Sequence, residues 1–308
     1  MKIKTAIIGL GKIGLTYDFN QDEKDTEHSV KTHCRAVSES YFFEISTLID
    51  LDSTALEFAM RKYGGQGFKS LSEVKHQVTP RLVIISLPTS EHLNTLLEIS
   101  NFWNPDVYLI EKPFGASASE ARKMNEVLIR QNSKVYVNYI RRFLPNFRSL
   151  KSSKIFDGRG SLLSVKITGY GTLLNIFSHF LDLLIYLEDS SILGHSVSTS
   201  TRNRFDNCLT IETSKGMRFD FVGIGDNHRE CEMLLFYEKI LVSVLNNGKT
   251  VKVFDHNGAI LDSFDISSSI FNAYQEVVLN HIASEFEIKD RNQSVLDAIN
   301  VHEFIESI

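Results

Sequence analysis

Cysteine is scarce in this 308-residue chain. Cys34, Cys208 and Cys231 are far apart, odd in number and form no CxxC pair. That excludes a disulfide framework and a cysteine zinc site, and no other metal site is read from the sequence. A reducing compartment fits, so the expected location is the cytoplasm. Basic clusters are also lacking. The net charge is −5, and no Lys/Arg block is longer than a pair such as Arg141-Arg142. A chain without a basic footprint is not expected to bind nucleic acid. No apolar run approaches the roughly 20 residues of a membrane span, so no membrane partner is expected. The Lys-flanked run at residues 2–8 leads straight into glycines with no small-residue cleavage site, and reads as a first strand rather than a leader. There is no internal repeat or low-complexity tract.

What is present is a globular composition, 43% hydrophobic and 23% charged, at a length that suits two cores. Short apolar runs at 3–8, 43–49, 81–87, 107–110 and 135–139 alternate with helical stretches at 32–40, 53–63, 91–102 and 117–131. Such alternation predicts βαβ units around a parallel sheet buried on both faces. After about residue 140 the rhythm changes. A helix over 172–187 places Ile176, Phe180, Leu183, Leu184 and Leu187 on one face. Strand-like segments then follow from 195 to 265, with hairpin turns at Asn247-Gly248 and Asn257-Gly258. The fold class is therefore α/β followed by α+β. Residues 1–138 form a doubly wound dinucleotide-binding (Rossmann) domain. Residues 139–308 form a substrate domain with a mainly antiparallel open sheet, ending in two helices. One face of that sheet is expected to carry Phe219, Phe221, Leu235 and Tyr237 toward a second copy, giving a homodimer or homotetramer.

Gly9-Leu10-Gly11-Lys12-Ile13-Gly14 follows the first strand and matches GxGxxG. The first glycine makes the tight turn, the second lets backbone approach a diphosphate, and the third allows close helix–strand packing. Asp50, at the end of the second strand, suits the ribose hydroxyls and repels a 2′-phosphate, so NAD is expected over NADP. Asp50 lies 36 positions after Gly14, where roughly twenty are expected. The polar segment 15–31 accounts for the excess, either as a solvated surface insertion or as a lid at the cofactor mouth.

Four further motifs occur in order: Ser86-Leu87-Pro88-Thr89-Ser90-Glu91-His92; Glu111-Lys112-Pro113; Val137-Asn138-Tyr139-Ile140-Arg141-Arg142-Phe143 with Pro145; and Gly171 through Asp182. Together they resemble the Gfo/Idh/MocA family of sugar and inositol oxidoreductases. The resemblance implies that Leu87, Pro88, His92 and Glu111 flank the cofactor. It implies that Lys112 is the acid/base at the reacting hydroxyl and His179 its second proton-transfer residue. A lysine at the carboxyl end of a parallel strand faces the ligand crevice, and desolvation beside a cationic ring lowers its pKa toward that task. Many family members carry Asp where this chain has Asn175, one helical turn before His179. Asn can hydrogen-bond substrate but cannot take a proton, which leaves the catalysis to Lys112 with His179. Asn138 falls near the expected substrate pocket. Arg141 and Arg142 either bind a phosphate or carboxylate or bridge the two domains.

The expected function is NAD-dependent hydride transfer at a secondary hydroxyl or keto group of a small sugar, nucleotide sugar or cyclitol. A non-catalytic NAD-binding regulator on the same fold is the alternative. Reduction of an imine or a tetrapyrrole is a third.

Overall fold

The structure is a computed structural model. It describes residues 2–19, 29–76, 78–170, 176–189, 193, 197–203, 208–213, 216–223, 230–287 and 293–308. The chain divides into two compact units, 1–140 with 272–299, and 141–271 with 300–308. Residues 272–299, which a single cut at 138/139 assigns to the second domain, thus lie in the first unit.

In the first unit, strands β1 (Ile3–Ile8), β2 (Phe43–Ile49), β3 (Gln66–Phe68), β4 (Leu82–Ile85), β5 (Val107–Ile110) and β6 (Lys134–Val137) form one sheet. Its order is β3-β2-β1-β4-β5-β6, and every pairing is parallel. That is the doubly wound order of a Rossmann domain. The apolar runs are buried on both faces, as the absence of alternation implies. Helices α1 (His33–Glu39), α2 (Ser53–Tyr63), α3 (His92–Ile99) and α4 (Ala118–Gln131) connect the strands. The caps follow the sequence. The side chains of Thr32, Asp52 and Ser117 each accept a backbone N–H of the first turn. Strand β3 is not foreseen from the sequence, because three residues at an edge are too few to show a period.

The second unit begins with α5 (Pro145–Lys151) and α6 (Lys154–Asp157). Next come β7 (Leu162–Gly169), α7 (Ser178–Leu187) and β8 (Val197–Asn203), then β9 (Cys208–Thr213), β10 (Arg218–Gly223) and β11 (Glu232–Tyr237). It continues through β12 (Leu241–Leu245), β13 (Thr250–Phe254), β14 (Ile260–Asp265) and α8 (Ser268–Asn272). The sheet order is β14-β13-β12-β11-β7-β10-β9-β8, antiparallel throughout except for the β7–β10 pair. The expected turn at Asn247-Gly248 holds both residues at positive φ. Helix α9 (Tyr274–Ser284) returns to the first unit, and α10 (Gln293–Glu306) begins there and ends in the second.

One expectation about this sheet is corrected. Phe219, Phe221, Leu235 and Tyr237 do not lie on an open face. They are buried in one core with Phe180, Leu183 and Leu184 of α7 and Phe304 of α10. Phe221 meets Phe177 edge-on, with ring centroids 5.2 Å apart. The opposite face carries Lys166, Arg218, Asp220 and Glu232, which are exposed or half-buried. It also carries an apolar row fixed by register. Phe236 pairs with Leu241, Leu241 with Phe254, and Phe254 with Ile260. Phe236 is 36% exposed and Ile260 56%.

The unit also contains a sealed ion pair. Arg142 donates through Nε to Asp182 Oδ2 at 2.9 Å and through Nη2 to Oδ1 at 2.5 Å. Removing one partner of such a pair strands a buried charge. Asp182→Ala is expected to cost about 3–5 kcal/mol in urea melts. A double Arg142→Met, Asp182→Leu variant is expected to recover most of that loss.

Candidate functional site

The glycine turn shows a steric need for glycine at two of its three positions. Gly9 has φ of +95°, and a Cβ there would lie 2.8 Å from the Ser86 carbonyl at the end of β4. Ser86 Oγ donates to the Gly9 carbonyl at 2.7 Å. A Cβ on Gly14 would meet the Gly9 carbonyl oxygen at 2.2 Å. At Gly11 a Cβ would meet nothing within 4 Å, so that position borders open space. The backbone N–H groups of Gly11, Lys12, Ile13 and Gly14 have no backbone acceptor among the described residues. Four such donors beside open space fit a dinucleotide's diphosphate. Asp50 is fixed to the same turn. Its Oδ2 accepts the Leu10 N–H at 2.5 Å and its Oδ1 the Asp52 N–H at 2.8 Å. Each oxygen retains lone-pair capacity for a ribose hydroxyl.

The helix that should follow Gly14 is split. Leu15 N–H donates to the Gly11 carbonyl and Tyr17 N–H to that of Lys12, which makes one helical turn. The chain then leaves and comes back. His33 N–H donates to the Ile13 carbonyl at 3.0 Å and Cys34 N–H to that of Gly14 at 3.0 Å. Each bond reaches twenty positions back where an α-helix reaches four, so sixteen residues are inserted into one helix. Asp18 closes the neck of the insertion. Its buried carboxylate accepts the N–H groups of Lys31 and Thr32 and, at 2.5 Å, the Thr32 hydroxyl. Burial, and next the Asp18 charge, push the Cys34 thiol far up. Cys34 is therefore a packing residue and not a nucleophile. The tip of the segment read as surface insertion or lid, residues 20–28, lies outside the described residues.

Glu111 ends β5 with its carboxylate in a buried polar network. His33 Nε2–H donates to Glu111 Oε1 at 2.8 Å, and Asn138 Nδ2 donates to the same oxygen at 2.6 Å. Asn138 Nδ2 also donates to Gln275 Oε1 at 3.2 Å. Burial opposes ionisation of Glu111. The His33 hydrogen bond and charge, Asn138 and Lys112 outweigh it and hold the pKa below the usual 4.5. Lys112 follows directly, half-buried, and is joined to Pro113 by a cis peptide. His92 is fully buried, its ring nitrogens 3.0 Å from the Leu87 carbonyl and 3.1 Å from that of Phe114. It thus ties the segment after β4, with Leu87 and Pro88, to the one after β5.

The structure gathers Gly9, Gly11, Lys12, Ile13, Gly14 and Asp50 at one turn. It sets Leu87, Pro88, Glu111, Lys112 and Asn138 at the carboxyl ends of β4, β5 and β6. Arg141 and His179 belong to the second unit, with His179 half-buried on α7. Asn175 lies outside the described residues. Sequence reasoning missed His33, Asp18 and Gln275. Excising the insertion would have put His33 one turn beyond Gly14. No sequence signal points to Gln275.

Residues 3–139 match the model of the Gfo/Idh/MocA oxidoreductase family with its NAD-binding Rossmann fold. The rhizopine catabolism protein MocA of Rhizobium meliloti is 25% identical over 221 residues, a match spanning 65% of this chain and 61% of that protein. Solved structures match along the whole chain. The WlbA dehydrogenase from Bordetella pertussis, in complex with NADH and UDP-GlcNAcA, has a TM-score of 0.73 at 15% identity, covering 99% of this chain and 95% of its own. A super-repressor mutant of Gal80p from Saccharomyces cerevisiae reaches 0.75 at 14%, covering 100% and 95%. At such identity these likenesses show the shared two-part fold alone.

The Glu111 network gives a pH signature. A depressed carboxylate contributes stability above its unfolded pKa and loses it as pH falls through the lower folded value. Thermal melts of Glu111→Gln are therefore expected to show a smaller loss of Tm than wild type as pH drops below about 4.5. Equal slopes would show that Glu111 titrates alike in the folded and the unfolded chain.

Proposed function

We propose that this chain is an NAD-dependent oxidoreductase. It moves hydride between nicotinamide and a secondary hydroxyl or keto carbon of a sugar, nucleotide sugar or cyclitol. The observation that carries the reading is the open position beside Gly11, with four backbone N–H donors and a half-buried lysine two strands away at the same sheet end. Gly11 to Gly14 would hold the diphosphate and Asp50 the adenosine ribose, which favours NAD over NADP. The bound nicotinamide supplies the hydride acceptor.

In oxidation, the Lys112 amine takes the hydroxyl proton and returns it in reduction. His179 is the second proton-transfer residue that the family resemblance implies, and an Asn at position 175 cannot take a proton. Leu87 and Pro88 flank the nicotinamide ribose, with His92 holding that segment from beneath. Glu111 acts from behind Lys112 by fixing the end of β5. The same fold in a Gal80p super-repressor supports a second reading, a regulator that binds NAD without turnover.

The test is to titrate NAD and then follow nicotinamide absorbance with nucleotide sugars, free sugars and inositols in both directions. Lys112→Ala should bind NAD as wild type does and lose turnover by at least about 100-fold. Gly11→Val should fold normally and lose NAD. Tight NAD binding with no turnover on any substrate would favour the regulator.

We also infer a homo-oligomer, dimer or tetramer, through the second sheet, with the row Phe236–Leu241–Phe254–Ile260 at its centre. Light scattering at micromolar concentration should give a multiple of 35.0 kDa, and Phe236→Glu should shift it toward the monomer. A wild-type monomer would refute this.

A further inference from the structure

Arg141 and Arg142 are sequence neighbours, equally withdrawn from water at 7% and 8% exposed. They are served differently. Arg142 closes its fork on Asp182. Arg141 donates Nε–H to the Asn247 carbonyl at 3.2 Å and lays its guanidinium over the Phe180 ring, 4.4 Å from the centroid. Its Nη1 and Nη2 take no hydrogen bond, and no carboxylate pairs with it, among the described residues. Among the described residues, the ionisable groups that act on it are the Cys231 thiol, the Tyr170 phenol and Asp182, which Arg142 already holds. Burial pulls the Arg141 pKa down to about 10.

Buried charges are ordinarily paired. A ring face and one carbonyl offset part of the cost and leave the bidentate edge of the fork unused. The surroundings hold that edge in place. Gly248 sits at φ +103°, and a Cβ there would lie 3.4 Å from the Phe147 ring and 3.5 Å from Arg141 Nε. Asn146 Nδ2 donates to the Gly248 carbonyl at 2.7 Å, and Cys231 N–H to Asn247 Oδ1 at 2.9 Å. The turn that fixes Arg141 is thus itself fixed. Phe180, under the guanidinium, is the next residue after His179.

We propose that the Nη edge of Arg141 binds an oxyanion group of the substrate, a carboxylate or a phosphoryl group, so that the preferred substrate is an acidic sugar derivative. That the anion belongs to a substrate rests on the oxidoreductase reading; the anion site itself does not.

The experiment is calorimetric titration of the NAD-loaded full chain with D-glucuronate, UDP and D-glucose, the first two separating carboxylate from phosphoryl recognition. Wild type should bind at least one acid ten or more times more tightly than glucose. Arg141→Gln can still donate to the Asn247 carbonyl, and should weaken that acid by about tenfold or more without changing glucose. If circular dichroism shows that Arg141→Gln does not fold, Arg141→Lys keeps the charge without the fork and should lose affinity several-fold. Equal acid affinity in wild type and a folded variant would overturn the proposal. So would acids that bind wild type no better than glucose. Turnover is scored separately. Arg141-dependent acid binding without hydride transfer would sink the oxidoreductase reading alone, and turnover of neutral sugars untouched by Arg141→Gln, with no acid preference, would sink the anion site alone.

Discussion

One buried carboxylate holds one end of the first unit's sheet together. Glu111 Oε1 accepts from His33 at the start of α1 and from Asn138 just after β6, and Asn138 reaches on to Gln275 in α9. Stretches more than 240 positions apart in the chain thereby converge behind Lys112. In a low-dielectric interior such a network is strong when its members are satisfied and costly when one is lost. It fixes the end of β5, the backbone that carries Lys112, the proposed proton-transfer residue. Residues 272–299 have to pack in the first unit for the network to close, so the division of the chain into units and the order of the site are one constraint.

That constraint explains what could be read from the sequence and what could not. The parallel sheet was legible because five of its six strands are short apolar runs and three of the four helices α1 to α4 carry side-chain caps, all local signals. The glycine turn was legible because its three glycines have separate causes, visible here as the contacts a Cβ would make at Gly9 and Gly14 and as open space at Gly11. The long spacing to Asp50 looked like a departure from the motif. Taking out the sixteen residues between the two halves of the split helix restores a spacing of twenty, so the motif is intact and interrupted. The interruption hid His33. The polar, acidic run between Leu15 and Thr32 breaks the helical period, so nothing local marks the histidine after it as part of the helix begun at Gly11. Gln275 was hidden for another reason: its partner is set by tertiary return, which leaves no trace in local pattern.

The second sheet was read correctly as to strands and wrongly as to faces. Alternation in β10 and β11 separates Phe219, Phe221, Leu235 and Tyr237 from Arg218, Asp220 and Glu232. Period two says that there are two faces, and does not say which one a helix covers. The larger aromatics won the covered side because α7 presents Phe180, Leu183 and Leu184 to them, and burying both sets together removes the most apolar area from water. What remains outside is a charged face with one apolar row.

The two arginines carry the same lesson to the scale of single side chains. As a pair in a motif, Arg141-Arg142 allowed either anion binding or bridging between domains. Asp182 decides the matter for Arg142, since it lies in the same unit and both its oxygens accept from the Nε–Nη2 edge of that guanidinium. Its negative charge is spent there, at hydrogen-bonding distance, and reaches Arg141 only as a weaker field. Two adjacent cations therefore share one anion, and the second cation keeps a preorganised, partly desolvated fork. A fold that needed Arg141 only for packing would be served by a neutral side chain over Phe180 without the cost of burying charge. The proposed oxyanion would give that charge its partner.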